Sequence, residues 1–293
     1  MTDADPSTTL PSTAASSTTL PSIALLGAGS MGRAILSGLL APGVTVEGGI
    51  RVTNRSAAKA AEFDGTEGVE AFATEQDPEA NRRAVAGAGI VLVAVKPAMV
   101  PELLDEITSA LEPGTVVVSV AAGVTVATFE AHLPASVSVL RSMPNTPAVV
   151  GKAVTGLSAG TRSTDEELAL VRSLFETVGT VVEVPEEQLD ALSTISGSGP
   201  AYVFLLIEAL TAAAVEKGFT PEQAAILVNG TFAGASELLV SSGRTPTDLR
   251  IAVTSPKGTT ERAIAVLQAA DLPTLFTAAT DAALARAKEL AAG

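Results

Sequence analysis

The stretch Ile23-Ala24-Leu25-Leu26-Gly27-Ala28-Gly29-Ser30-Met31-Gly32 constrains this chain more than any other. Four apolar residues lead into a G-x-G-x-x-G pattern, and Arg33-Ala34-Ile35-Leu36-Ser37-Gly38-Leu39-Leu40 follows it. A short uncharged apolar run suits a strand buried on both faces. The residues after Gly29 repeat apolar positions at helical spacing. Strand, tight turn and helix in this order form the context in which a glycine pattern binds a dinucleotide rather than merely turning the chain. Gly27 permits the turn, Gly29 lets a pyrophosphate reach the backbone, and Gly32 lets the helix pack on the strand. The helix N-terminus then presents free N–H groups and the positive end of a dipole to the phosphates.

Composition narrows the classes. The 293 residues suffice for two domains, and 47% hydrophobic content supplies a sizeable core. With 18 basic and 32 acidic residues the net charge is −14, which argues against a nucleic-acid partner. No cysteine is present, so thiolate catalysis and thiolate metal sites are excluded. The single histidine, His132, ends a predicted helix and suits a surface or capping role; no metal site is expected. There is no cationic n-region before an apolar core. The longest apolar stretch, Ala201 to Val215, is broken by Glu208 and falls short of a bilayer's span. The expectation is a soluble cytoplasmic protein with no membrane partner.

Along the chain, residues 1–21 read as a disordered Ser/Thr/Pro tail in which Thr8–Ser12 recurs as Thr18–Ser22. Strands are predicted at 23–26, 50–53, 68–72, 90–95, 115–120, 136–140, 153–157 and 180–184, separated by helices. This alternation predicts a parallel, doubly wound α/β sheet over 22–184. Thr164-Asp165-Glu166-Glu167 has the form of a capping box. From residue 185 to 293 the pattern is helical throughout. The helices at 199–217 and 221–242 are apolar on most faces, and so small a domain cannot hide them alone; burial against a second copy predicts a homodimer.

The end of the second predicted strand reads Thr53-Asn54-Arg55-Ser56. An NAD site usually carries Asp or Glu there. Without one, Arg55 can bond a 2′-phosphate, with Asn54 and Ser56 as neutral donors. This favours NADP(H), with NAD(H) as the alternative. Further contacts are expected where the next buried strands end, at Ala94-Val95-Lys96-Pro97 and Ala121-Ala122-Gly123. Two hydroxyl- and glycine-rich loops stand apart, Ser193–Tyr202 and Thr254–Glu261. In the second, a helix start flanked by hydroxyls can hold a carboxylate or can be a plain N-cap.

Taken together, the segments GAGSMG at 27–32, TNRS at 53–56, AVKP at 94–97, AAGVT at 121–125, RSMPNTPA at 141–148, SGSGPAY at 196–202 and LRIAVTSPKGTTERAI at 249–264 resemble the Δ1-pyrroline-5-carboxylate reductases. The likeness runs in order over about residues 22–290. It implies a Rossmann domain followed by an all-helical dimerisation domain, with dimers assembling further toward a decamer. It implies NAD(P)H-dependent reduction of 1-pyrroline-5-carboxylate to L-proline, the last step of proline biosynthesis. Cofactor positions carried over are Gly27, Ala28, Gly29, Ser30, Met31, Gly32, Asn54, Arg55, Ser56, Asn81, Ala94, Val95, Lys96, Pro97, Ala121, Ala122 and Gly123. Substrate positions are Glu186, Ser255, Gly258, Thr259 and Thr260, with Thr260 as the catalytic candidate. Met143, Pro144 and Asn145 would lie beside the nicotinamide. The family usually has SPGGTT where this chain has Ser255-Pro256-Lys257-Gly258-Thr259-Thr260. Lys257 is strained if that position takes a positive φ.

Two other readings share part of this pattern. A β-hydroxyacid or imine reductase would use a catalytic Lys or Asp in the helical domain, yet no lysine lies between Lys152 and Lys217. A catalytically inert NADP sensor would keep the 27–32 turn and have no need of the 255–260 loop.

Overall fold

The computed structural model of the protein describes residues 17–292. It divides into two compact units, one ending at Glu186 and one beginning at Glu187.

In the first unit, β1 (Thr18–Leu20) and β3 (Val44–Val46) form a small parallel pair, the second member following α1 (Ser30–Leu39). The main sheet has eight strands: β2 (Ile23–Leu26), β4 (Ile50–Asn54), β5 (Val69–Ala73), β6 (Ile90–Val93), β7 (Val116–Ser119), β8 (Ser138–Met143), β9 (Ala153–Ala159) and β10 (Gly179–Glu183). Their spatial order is β10-β9-β8-β7-β6-β2-β4-β5. Helices α2 (Ala57–Ala61), α3 (Ala80–Val85), α4 (Val100–Ile107), α5 (Val126–His132) and α6 (Asp165–Glu176) join them. The chain builds outward from β2 in one direction through β4 and β5, then resumes on the other side with β6. That reversal opens a crevice at the carboxyl ends of β2 and β6, where such sheets take ligands.

The apolar runs alternate between two cores. Ile23, Leu25, Ile90, Leu92, Val116 and Val118 face one, while Ala24, Leu26, Val91, Val93, Val117 and Val139 face the other. A strand buried on both sides must be apolar at every position. Each fully buried Leu, Ile or Val contributes about 1.5–3 kcal/mol. The Thr164 hydroxyl accepts from Glu167 N–H and the Glu167 carboxylate from Thr164 N–H, so the expected capping box opens α6. His132 closes α5 and pairs with Asp105 at 2.6 Å.

Three expectations need correction. The sheet is not wholly parallel: β9 runs antiparallel to β8, and β10 parallel to β9. The connection 144–152 is too short for a crossover, which takes a dozen or more residues. The tail does not extend to residue 21. Thr18–Leu20 is a strand, Leu20 is 1% exposed, and Ser22 accepts from Gly89 N–H and donates to Gly87 O. Residues 1–16, including Thr8–Ser12, lie outside the described part. The third correction concerns length. Glu186–Glu216 (31 residues) and Pro221–Ser242 (22 residues) are long and apolar enough to cross a membrane by length and composition.

The second unit is helical: α7 (Leu189–Leu192), a π turn (Ser193–Gly197), α8 (Gly199–Glu216), α9 (Pro221–Ser242), α10 (Pro246–Ala252), α11 (Thr259–Gln268) and α12 (Leu272–Ala292). Tyr202 donates to Thr194 O at 3.0 Å and meets Phe276 edge-on, with ring centroids 6.1 Å apart. Its interior is small. No residue of α8 is buried, and only Ala224 and Val228 are buried in α9. Phe204, Leu205 and Ile226 are more than half exposed. So much bare apolar surface calls for a cover.

Leu20→Ala tests the N-terminal correction. Loss of a buried leucine side chain should lower unfolding stability by about 2–5 kcal/mol in a urea titration; a loose tail would give no change.

Candidate functional site

The β2–α1 turn has the geometry a dinucleotide needs. Gly27 has φ 94°, and a Cβ there would stand 2.9 Å from Ala94 O. Both the torsion and the neighbouring strand therefore demand glycine. A Cβ on Gly32 would come 2.6 Å from Gly27 O, so α1 sits directly on the turn. Gly29 differs. A Cβ there would meet nothing within 4 Å, and its φ of −72° suits any residue. Gly29 is also the N-cap of α1 and supplies no side-chain cap, so the first-turn N–H groups of Ser30, Met31 and Gly32 have no partner from that residue. Arg33 locks the turn. Its Nε donates to Ala28 O at 3.2 Å, its guanidinium stacks over Phe63, and it pairs with Glu62. That hydrogen bond from Arg33 holds the Glu62 carboxyl below its ordinary range.

Beside the turn lies a cleft of about 350 Å³. Pro78, Val95, Met99 and Leu103 give it apolar walls fit for a flat ring. Gly27, Thr53, Asn54, Arg55, Thr74 and Asn81 line it too, and Glu102 and Glu106 add two carboxylates. Met99, Glu102, Leu103 and Glu106 fall at i, i+3, i+4 and i+7, one stripe of α4 and the residue before it. That stripe is the part of the site missed in the sequence. Its signal is a helix starting at the carboxyl end of a buried strand.

Arg55 is exposed, and among the described residues its guanidinium has no protein partner. Asn54 is buried, with Nδ2 3.5 Å from Lys59 O. The expectation that no carboxylate stands here needs correction. Glu75, at the end of neighbouring β5, accepts from Ala57 N–H at 2.7 Å and occupies the start of α2. A residue twenty positions away in sequence reaches the loop because β5 pairs with β4.

The other sequence candidates sort as follows. Ala94 and Val95 follow β6 beside the turn, while Lys96 and Pro97 are exposed and begin a 3₁₀ turn. Ala121, Ala122 and Gly123 follow β7, with Gly123 at φ 76°. Asn145 after β8 is buried and accepts from Val154 N–H at 2.9 Å, and Pro144 beside it is buried as well. Glu186 belongs to the first unit. Its Oε1 accepts from Val126 N–H at 2.7 Å and from Arg141 at 3.3 Å, holding the start of α5.

Ser255, Gly258, Thr259 and Thr260 belong to the second unit. Gly258 is the N-cap of α11 and supplies no side-chain cap, so the N–H groups of Thr259 and Thr260 have no intrahelical partner. The hydroxyls of Ser255, Thr259 and Thr260 have no protein partner among the described residues. Lys257 has φ 62°, so the conditional expectation of strain applies. The left-handed conformation costs a non-glycine residue about 1–2 kcal/mol. The Glu261 carboxylate steadies it by accepting from Lys257 N–H at 2.9 Å.

Comparison with known proteins shows the family. The family model described as pyrroline-5-carboxylate reductase dimerisation matches residues 186–290, and the one described as NADP oxidoreductase, coenzyme F420-dependent, matches residues 22–123. The pyrroline-5-carboxylate reductase of Corynebacterium melassecola is 38% identical over 271 residues, 92% of this chain and 98% of that protein. The solved pyrroline-5-carboxylate reductase of Coxiella burnetii is 39% identical, with a TM-score of 0.85 over 92% of this chain and 97% of that one. A pyrroline carboxylate reductase of Plasmodium falciparum, solved with NADP bound, shares the fold at 24% identity and a TM-score of 0.76, covering 92% and 98%.

Two glycine substitutions separate packing from ligand approach. Gly32→Ala should lower the melting temperature, because backbone must shift to admit the methyl. Gly29→Ala should leave unfolding within about 0.5 kcal/mol while weakening dinucleotide binding, measured by calorimetry, by roughly tenfold or more.

Proposed function

The chain belongs to the pyrroline-5-carboxylate reductase family, and from that premise we propose how its residues share the reduction of 1-pyrroline-5-carboxylate to L-proline. The reaction completes proline biosynthesis and uses a reduced nicotinamide dinucleotide. The observation that carries the assignment of roles is the pair of uncapped helix starts, α1 behind Gly29 and α11 behind Gly258. Each offers unspent backbone N–H groups, as an anionic ligand requires.

In this reading the 27–32 turn holds the pyrophosphate, the cleft takes the adenosine end, and Arg55 bonds the 2′-phosphate. NADP(H) is then preferred. Glu75 moderates the preference, since it already fills the Ala57 N–H and adds negative charge; NAD(H) is therefore accepted as well. Met143, Pro144, Asn145 and the Ala121–Gly123 turn serve the nicotinamide end. Glu186 supports that end through the start of α5.

The bound nicotinamide supplies hydride to the imine carbon, and the imine nitrogen takes a proton. The N–H groups of Thr259 and Thr260 hold the substrate carboxylate, strengthened by the helix dipole. Thr260 orients the imine nitrogen through its hydroxyl. A threonine hydroxyl is too weak an acid to be the proton source, so water or an already protonated imine supplies it. The helical unit's apolar surface is covered by a second copy, in keeping with the dimerisation domain it matches. We extend this to a cytoplasmic enzyme whose dimers assemble toward a decamer.

The direct test is NADPH oxidation on adding 1-pyrroline-5-carboxylate; an inert sensor would bind the nucleotide and leave it reduced. Thr260→Ala should lower kcat by roughly tenfold or more with the cofactor KM unchanged; an unaltered kcat removes Thr260 from the mechanism. Arg55→Ala should raise the KM for NADPH about five- to tenfold and leave that for NADH alone. An equal effect on both would assign the 2′-phosphate elsewhere.

A further inference from the structure

Asn81, one of the cofactor positions carried over above, is paired in the cleft with a residue that has no role so far, Glu106. Asn81, on α3, is 9% exposed and lines the cleft together with Glu106 of α4. The Asn81 Nδ2 donates to Glu106 Oε2 at 3.1 Å. A carboxylate only accepts, so it selects the nitrogen side of the amide. The other side, Oδ1, has no protein hydrogen bond among the described residues. Glu106 is itself held: its backbone carbonyl accepts from Arg82 Nε at 2.8 Å, and Arg82 is tied to Glu79 by two 3.0 Å bonds.

We propose that Glu106 is a positioning residue for the cofactor: it fixes the amide of Asn81 so that Oδ1 stands in the cleft as an oriented acceptor. This rests on reading the cleft as the adenosine site. The group that meets Oδ1 is a hydrogen-bond donor at the adenosine end, a sugar hydroxyl or the exocyclic amine of the purine. Without Glu106 the amide turns over freely and presents either end to the ligand, and its Nδ2 loses its acceptor. With it, the orientation is set before binding, and its entropy is not lost on association. Glu106 acts through Asn81 and touches no reacting atom.

The test measures dissociation constants for NADPH by calorimetry on the full chain, alongside steady-state kinetics. Glu106→Ala should weaken NADPH about tenfold, since binding through Oδ1 then leaves the buried Asn81 Nδ2 without its acceptor. It should leave kcat at saturating cofactor and the KM for the imino acid unchanged. Glu106→Gln, whose Oε1 still accepts from Asn81, should bind within about twofold of the parent. Asn81→Ala should weaken NADPH similarly, and the double variant N81A/E106A should be no weaker than N81A alone. Repeating the series with the hypoxanthine analogue, which lacks the purine amine, identifies the donor. If the Glu106→Ala loss vanishes, Oδ1 meets the amine; if it persists, a sugar hydroxyl. Parent-like binding by Glu106→Ala, additive losses in the double variant, or a Glu106→Gln defect equal to that of alanine overturns the proposal while the cofactor site stands. A parent protein that does not bind NADPH overturns both.

Discussion

The first unit depends on one close approach, the carbonyl of Gly27 lying under Gly32. No side chain fits between them, so α1 starts in contact with the strand it leaves. This contact aims the helix N-terminus at the sheet's carboxyl edge. Arg33 then ties the turn to the neighbouring segment through Ala28 O, Glu62 and Phe63. Because β2, β4, β6, β7 and β8 run the same way, their connecting loops emerge at that same edge. Three of those loops contribute to a single cleft.

Much of this was legible in the sequence, for a physical reason. Strands buried on both faces show as unbroken Val, Ile and Leu, and glycines forced by torsion or contact show as a fixed spacing. What was not legible depends on pairing. Apolar character marks β9 as a strand and says nothing of its direction; the short 144–152 connection decides that. Leu20 looked like part of a polar tail because its burial depends on Val44–Val46, more than twenty residues on. Glu75 reaches the loop after β4 only because β5 lies alongside. For Leu20 and Glu75 the deciding partner is distant in sequence, whereas β9 is turned by the segment directly before it.

The second unit shows the opposite balance. Its helical pattern and its apolar character were both visible, yet one copy leaves most of that surface bare. The apolar faces of α8 and α9 satisfy the length and composition of membrane spans. They differ from spans in their context, a match to a dimerisation domain in a family of small-molecule reductases. The same hydrophobic surface serves either solvent, and only the partner decides. Lys257 is a smaller instance of local cost accepted for the sake of geometry: its backbone holds a conformation in which glycine is at ease, with Glu261 compensating.

The wall of the cleft has one further consequence. The chain contains no thiol, so oxidants fall on its four methionines, and Met99 is 38% exposed in the face suited to a flat ring. Conversion of its thioether to the sulfoxide would set a strong dipole in that apolar wall. A protein without cysteines thus retains a redox-vulnerable point, and it sits in the wall of the cleft beside the glycine turn.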